Sequence, residues 1–226
     1  MTGRRIVIIG AGGMAREVAS ALKYINRQKE TYDFLGFVVS DLSKLGPRDS
    51  RDQVIGDFGW LDRNRNLFDS IAIGIGSPVV RLKLGAQMKS QLPGVLFPAV
   101  VHPSAFVDFE TCRLSEGSFV GAGAILAVNC VLEPFALCNL GVTVGHETEI
   151  GCGSVVNPGA NLSGGVVIGD GVLIGTGAQI LQYLHVGSGA IVGAGSVVVQ
   201  DVPEHITVFG APARPLRSSK AATAGK

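Results

Sequence analysis

The chain has 226 residues, with 19 basic and 18 acidic residues that leave a net charge of +1. This length predicts one or two domains with a sizeable core, and the balanced charge argues against a nucleic-acid partner. No apolar run reaches the about 18 residues of a membrane span, and the run at residues 6–9 is too short for a signal peptide. We therefore expect a cytoplasmic protein with no membrane partner.

The first part of the chain alternates predicted strands and helices. Strands are predicted at residues 4–9, 34–39 and 70–73, and helices at 14–24 and 78–91. Ser77-Pro78 is typical of an N-cap followed by proline in the first helical turn. This alternation predicts a parallel sheet with right-handed crossovers, and so a Rossmann-like α/β domain at residues 1–97.

A glycine-rich turn at residues 10–13 follows the first predicted strand and precedes a helix. Its amide groups and the helix N-terminus favour a phosphate or nucleotide, although a plain strand-to-helix turn is the alternative. Parallel sheets bind ligands at the carboxyl ends of their strands, so the turns after the other strands are candidates for the same site. These candidates are Ser40-Asp41, Gly74-Ile75-Gly76-Ser77 and Arg81. Asp41 either contacts a ribose or base or only caps its loop. Arg81 faces either phosphate or water.

A second pattern begins at Leu114, where a small or aliphatic residue recurs at every sixth position as far as Val198. These fifteen hexads, with a second small or aliphatic residue at the fifth position of each, predict a parallel β-helix at residues 98–217. Val101 and Val107 extend the series, with one extra residue before Leu114. No inserted loop interrupts the array, so we expect an active site built across neighbouring chains. Residues 218–226 form a polar tail that is predicted to be disordered.

The cysteines of the chain favour a reducing compartment. They form no CxxC pair, and Cys130 and Cys138 occupy repeat positions that small or apolar residues otherwise fill. Buried free thiols are therefore expected.

One histidine, His146, lies at the third, outward-facing position of its hexad. The residue one coil later is Gly164, which leaves room above the imidazole for a ligand or another chain. Glu147 follows directly, and a carboxylate near an imidazole fixes its tautomer. Sequence neighbours on a strand point to opposite faces, so direct contact within one chain is not assured, and an adjacent chain is the alternative. The residues alone leave His146 as an idle surface histidine, a general base or a metal ligand. A metal is disfavoured because the remaining histidines fall in other columns: His102 and His205, predicted to be structural, and His185, predicted at a corner without a role.

The two halves together, over about residues 4–216, resemble the bacterial sugar O-acyltransferase family. This family includes sialic-acid O-acetyltransferases and nucleotide-amino-sugar N-acetyltransferases. The segments that carry the resemblance are Ile8-Ile9-Gly10-Ala11-Gly12-Gly13, Ala72-Ile73-Gly74-Ile75-Gly76-Ser77 with Arg81, Gly145-His146-Glu147, Leu162-Ser163-Gly164-Gly165 and Gly210-Ala211-Pro212-Ala213-Arg214.

The resemblance implies a homotrimer of left-handed β-helices, with acetyl-CoA between neighbouring prisms and a sugar nucleotide on the N-terminal domain. It implies that His146 is the general base and that Glu147 tunes it. Some relatives have a second histidine at the position of Val155, and some have two carboxylates where this chain has Ser40-Asp41. The expected substrate contacts are Gly10, Gly12, Gly13, Ser40, Asp41, Gly76, Ser77 and Asn139, and the expected coenzyme contacts are Gly164, Thr176, Ala194 and Arg214.

The resulting hypothesis is an acetyl-CoA-dependent N-acetyltransferase without a metal. It acts on the amino group of a nucleotide-linked sugar of the 4-amino-4,6-dideoxy type in bacterial surface-glycan biosynthesis. An O-acetyltransferase acting on a sialic acid or related sugar hydroxyl is the first alternative, and a non-catalytic solenoid scaffold is the second. Binding of a nucleoside diphosphate distinguishes the first two, and failure to bind coenzyme A would favour the scaffold.

Overall fold

The computed structural model describes residues 3–216, and its N-terminal part is the predicted Rossmann-like α/β unit. A parallel four-stranded sheet, in the order β3-β2-β1-β4, is covered by helices on both sides. The predicted tail at 218–226 lies outside the described residues. The elements are β1 (Arg4–Ile9), α1 (Gly13–Gln28), β2 (Tyr32–Val39), two 3₁₀ turns (Leu42–Lys44 and Arg51–Gln53), β3 (Val54–Asp57), α2 (Phe58–Arg63), β4 (Ser70–Ile73) and α3 (Pro78–Gln91).

Two short elements, β3 and α2, were not predicted from the sequence. They contain four and six residues, too few to show a strand or helix period, and they follow each other without an intervening loop. At the start of α3, Ser77 accepts the first helical hydrogen bond through its carbonyl oxygen, but its hydroxyl makes no capping bond. The predictions of Ser77 as the N-cap residue and of Pro78 in the first turn are therefore confirmed, although the Ser77 side chain takes no part in the capping.

The second part of the chain is a left-handed parallel β-helix with three flat faces. Strands pair in parallel with strands 18 residues further along, as Leu132 does with Ile150, so three hexads make one coil. The first face contains Val100–Val101, Phe119–Val120, Leu137–Cys138, Val155–Val156, Leu173–Ile174, Ile191–Val192, Thr207–Phe209 and the antiparallel Arg214–Pro215. The second face contains Phe106–Val107, Ile125–Leu126, Thr143–Val144, Asn161–Leu162, Gln179–Ile180 and Val197–Val198. The third face contains Arg113–Leu114, Val131–Leu132, Glu149–Ile150, Val167–Ile168 and His185–Val186.

Three rows of turns join these faces, and we call them corners. The first corner, between the first and second faces, includes residues 139–141; the second corner, between the second and third faces, includes 145–147; the third corner, between the third and first faces, includes 151–153. Most of these turns contain a residue with positive φ, which is usually glycine, as at Gly153 with φ 63°. His185 lies in a strand of the third face and is exposed, so its predicted corner position was wrong.

The N-terminal unit packs on the first face and the third corner of the β-helix. Outward-facing Phe119, Leu137 and Val155 of the first face join α1 and β1 in one buried apolar cluster. On the second face, by contrast, the outward side chains of Phe106 and Ile125 are exposed. Within one chain, the second face and the second corner therefore remain free of the N-terminal unit.

Candidate functional site

A cavity of about 440 Å³ opens at the carboxyl ends of β1, β2 and β4. Gly10 follows β1, and Ser40 and Asp41 follow β2, so the cavity brings three of the predicted nucleotide contacts together. Lys83 and Gln87 of α3 form the opposite wall. These two residues were not predicted from the sequence, because their inward direction depends on how α3 packs against the sheet.

Two predicted residues of this cavity are tightly constrained. Gly10 has φ 106°, and a Cβ atom there would lie 2.9 Å from the carbonyl oxygen of Gly74. Only glycine fits this backbone conformation and this close approach without strain. The Asp41 carboxylate accepts hydrogen bonds from the amide of Ser43 at 2.9 Å and from its hydroxyl at 2.6 Å. These bonds and Lys44, 3.3 Å away, lower the pKa of Asp41. Asp41 thus caps its own loop while also lining the cavity.

The other predicted residues of the glycine loops lie beside the cavity and do not line it. Gly12 precedes α1, and Gly13 is its first residue. Gly76 and Ser77 occupy the corresponding place before α3. These four residues therefore flank the cavity at the N-terminal ends of two helices, where free amide groups favour anionic groups.

Arg81 is completely buried. The prediction that it faces either phosphate or water was wrong. Its Nη1 atom donates hydrogen bonds to the carbonyl oxygens of Ile73 at 2.8 Å and Ile75 at 2.9 Å, and its Nε atom donates to that of Phe135 at 2.9 Å. Burial lowers the pKa of Arg81 to about 9, which leaves the guanidinium charged at neutral pH. The prediction was wrong because Phe135 is 54 residues away in sequence, and local pattern does not reveal that contact.

His146 and Glu147 lie together at the second corner. The Nδ1 atom of His146 is 3.6 Å from the Oε2 atom of Glu147, and both side chains are more than half exposed. From the sequence, contact within one chain was left open, because the two residues were treated as neighbours on a strand. They occupy a turn instead, where Glu147 has φ 60°, so one chain is sufficient.

Gly164 lies directly above His146, one coil further along. A methyl group added at Gly164 would overlap the Cε1 and Nε2 atoms of the imidazole, so the absence of a side chain is what admits the ring. The Gly165 amide donates a 2.7 Å hydrogen bond to the carbonyl oxygen of His146 and keeps the two coils in register. Within residues 3–216 the amide of Gly164 itself has no hydrogen-bond acceptor. A base and an available N–H donor therefore adjoin each other at this corner.

The remaining predicted contacts lie elsewhere in the same chain. Asn139 precedes Leu140 at the first corner, and Thr176 and Ala194 are stacked two and three coils above Leu140 in the same column. The second face separates this column from His146. Arg214 is exposed in the last strand of the first face.

The residue at 155, where some relatives have a histidine, is also accounted for. Val155 is fully buried and packs in the apolar cluster between α1 and the first face. Within residues 3–216, no group of three or more His, Cys, Asp or Glu side chains is arranged to hold a metal ion. In the same range, every helix is too short or too polar to cross a membrane.

Two family models match the chain. The model described as the PglD N-terminal domain matches residues 5–88, which include the cavity and its loops. The model described as bacterial transferase hexapeptide (six repeats) matches residues 147–182, next to His146. A comparison with curated protein sequences found no match.

Solved structures match nearly the whole chain. A mutant of perosamine N-acetyltransferase from Caulobacter crescentus, in complex with CoA and GDP-perosamine, is 30% identical with a TM-score of 0.85, over 96% of this chain and 99% of that one. The acetyltransferase domain of PglB from Neisseria gonorrhoeae, in complex with acetyl coenzyme A, is 32% identical with a TM-score of 0.83, over 95% and 100%. WeeI from Acinetobacter baumannii is 31% identical with a TM-score of 0.78, over 94% and 100%. The chain therefore belongs to the bacterial sugar acyltransferase family, among its acetyl-CoA-dependent sugar acetyltransferases.

Proposed function

We propose that this enzyme transfers the acetyl group of acetyl-CoA to the amino group of a nucleotide-linked amino sugar. The observation that carries the proposal is the arrangement at the second corner, where the His146 imidazole lies against Gly164 and beside Glu147. The cavity at Gly10, Ser40 and Asp41 gives a nucleotide a separate place on the same chain. We further propose that the sugar is of the 4-amino-4,6-dideoxy type and that the product serves bacterial surface-glycan biosynthesis.

The proposed chemistry is a direct transfer. The sugar nitrogen attacks the thioester carbonyl carbon, and its proton passes to His146. The carbon–sulfur bond then breaks, and the proton passes from His146 to the departing sulfur, which releases coenzyme A as the thiol and restores the neutral base. Negative charge develops on the carbonyl oxygen during attack, and the free amide of Gly164 is suitably placed to stabilise it. Glu147 is proposed to orient the imidazole, because its Oε2 atom lies 3.6 Å from Nδ1 of His146. This scheme needs neither a covalent enzyme intermediate nor a metal.

The active unit is proposed to be a homotrimer. The nucleotide cavity belongs to the unit on the first face, whereas His146 lies at the opposite, second corner. Thr176 and Ala194 lie at the first corner, so the proposed coenzyme contacts occupy both edges of the second face. When the first corner of one copy meets the second corner of the next, these residues surround one groove. Closed cyclic packing repeats this contact three times.

The relatives support an amine as the acceptor. One was solved with GDP-perosamine and is named an N-acetyltransferase. In this chain, the ionised Asp41 and nearby Lys44 and Lys83 give the cavity a polar rim that suits a nucleoside diphosphate. The four cysteines are free thiols, which agrees with the cytoplasmic location that we propose for the enzyme.

A substrate screen tests the proposal. Purified enzyme is incubated with acetyl-CoA and a panel of uridine-, guanosine- and thymidine-diphosphate amino sugars, and free thiol release is followed. We expect turnover with at least one amino sugar and a product whose mass has gained one acetyl group on nitrogen. The matched 4-hydroxy sugar nucleotides serve as controls. Turnover of these hydroxyl analogues or of a free sialic acid, without turnover of the amines, would contradict N-acetylation and favour the O-acetyltransferase.

A further inference from the structure

Arg81 is buried more completely than any other charged side chain of the described range. Among the Arg, Lys, Asp, Glu and His residues of 3–216, it is the one that is buried, and it has no exposed surface. Its hydrogen-bond acceptors are all backbone carbonyl oxygens, and no carboxylate forms a salt bridge with it there. Burying a cation without a counterion is unfavourable unless its hydrogen bonds are well satisfied. The arginine therefore needs a reason other than packing.

The carbonyl groups that Arg81 joins come from both halves of the chain. Ile73 ends β4, and Ile75 belongs to the loop that lines the nucleotide cavity. Phe135 belongs to the third corner of the β-helix, and Gly117, whose carbonyl oxygen lies 3.5 Å from Nη2, is its counterpart one coil below. The planar guanidinium group fixes the directions of several donors at once, which a lysine ammonium group does not do.

Helix α3, which carries Arg81, contacts the nucleotide cavity on one face and the third corner of the β-helix on the other. Lys83 and Gln87 line the cavity. On the other face, Leu82 packs against Gly153 of the third corner, and Gly85 admits the ring of Phe135. The helix is thus a shared wall, and any slip of α3 along the β-helix would move the cavity by the same amount.

The coil that Arg81 holds is the coil of the base. Phe135 lies two residues before the strand Leu137–Cys138, and the same coil continues through Thr143–Val144 to His146. If three prisms pack side by side about an axis parallel to their length, His146 of the next copy lies at this same height. Sliding of the cavity along the prism would then change the distance between the sugar amine and the base.

We infer that Arg81 is a positioning residue that fixes the nucleotide cavity at the height of the His146 coil. This inference rests on the proposed function. The substitutions Arg81→Lys, which keeps the charge, and Arg81→Met, which keeps the approximate length, test it. Lys89→Ala is the matched control, because Lys89 also joins α3 to the third corner, through an exposed ion pair with Glu116.

The decisive readout is the separation of KM from kcat in the trimeric enzyme. Arg81→Lys is expected to raise KM for the nucleotide amino sugar about tenfold or more and to lower kcat, while acetyl-CoA binding by calorimetry stays unchanged. Lys89→Ala should match the wild type. A merely structural Arg81 would reduce the active fraction and hence kcat alone. Unchanged KM in both Arg81 variants would therefore overturn the inference.

Amide hydrogen exchange keeps the test independent of turnover. Loss of the guanidinium group should speed exchange both in the loop at 74–77 and at the third corner around 134–136, and Lys89→Ala should change neither. If the wild type acetylates no sugar but the Arg81 variants show this paired change in exchange, the proposed function fails and the coupling stands. If exchange rises in only one of the two segments, or in neither, Arg81 does not couple them. Should Arg81→Lys fail to fold, Arg81→Met carries the same comparison.

Discussion

The imidazole of His146 lies against the backbone of Gly164, the residue stacked one coil above it. A side chain at 164 would occupy the space of the ring, and within residues 3–216 the Gly164 amide has no hydrogen-bond acceptor. The pair therefore combines a proton acceptor and a hydrogen-bond donor on an exposed corner. In the proposed reaction, these are the two groups needed beside a thioester carbonyl.

Substitution of the proposed base tests this relationship directly. His146→Ala is expected to lower kcat by about 10²–10⁴-fold, the usual contribution of a general base, while the oligomeric state and the melting temperature stay those of the wild type. His185→Ala is the control, because His185 is an exposed histidine on a strand of the third face. Steady-state rates and analytical ultracentrifugation provide the measurements. Wild-type turnover in His146→Ala would remove this residue from the mechanism.

A methyl group at Gly164 should displace the imidazole without unfolding the coil. Gly164 does not have a positive φ, so alanine adds no backbone strain there, and the atoms that it meets belong to a side chain that can swing outward. Gly164→Ala is therefore expected to lose about 10²-fold in kcat with little change in melting temperature. A crystal structure of the variant should show a shifted ring. Full activity with an unmoved imidazole would contradict the predicted overlap.

Complementation between inactive chains tests whether the site spans two copies. Gly10→Ala damages the nucleotide cavity and His146→Ala removes the base, so at a limiting concentration of sugar nucleotide each variant alone should turn over far more slowly than the wild type. In a proposed trimer that contains both chains, one of the three interfaces pairs an intact cavity with an intact histidine. Co-expression with two affinity tags isolates these mixed trimers, and recovered turnover is expected. An active site contained within one chain would instead leave every mixture no faster than the separate variants.

Gly10→Ala should weaken nucleotide binding specifically. The substitution forces a side chain into a conformation with φ 106°, within 2.9 Å of both the Gly74 carbonyl oxygen and the side chain of Ile75. We expect the affinity for the best nucleoside diphosphate to fall about tenfold or more, with acetyl-CoA binding unchanged. Gly94→Ala is the matched control, since Gly94 also has a positive φ, 83°, but has space for a methyl group. An equal loss of nucleotide affinity in both variants would show that backbone strain alone, and not the cavity, causes the loss.

Stability should decline in weak acid because of His102. Its ring packs against Tyr24, with centroids 5.1 Å apart, and its Nδ1 atom accepts the amide hydrogen of Ser104. Burial lowers the pKa of His102 below its ordinary value of 6.5, so the unfolded chain takes up the proton first as the pH falls. The stabilisation is present above pH 6.5 and is lost as the pH drops through the folded pKa.

Melting curves between about pH 7.5 and pH 5 check this sign, because they span the ordinary histidine pKa. In His102→Phe, which keeps a ring against Tyr24 but cannot titrate, the acid-side fall in melting temperature should be shallower. His185→Ala, which removes an exposed histidine, should keep the wild-type slope. Identical slopes in all three proteins would contradict a contribution from His102.

The sequence by itself determined the architecture and the position of the candidate base. Inward positions recur every six residues because each short strand and its turn repeat the same local geometry, so periodicity alone identifies the β-helix. The same counting placed Gly164 over His146, since stacked residues lie 18 apart. The α/β unit was also predicted from the sequence, because its longer elements carry buried apolar runs.

Only the tertiary structure decided how these parts meet. It buried Arg81 against Phe135 and brought Glu147 beside His146 through a left-handed turn. It also placed Asn139 and Thr176 at a different corner from the base. These relationships depend on contacts between distant segments and on backbone angles in turns, and neither leaves a periodic trace in the sequence.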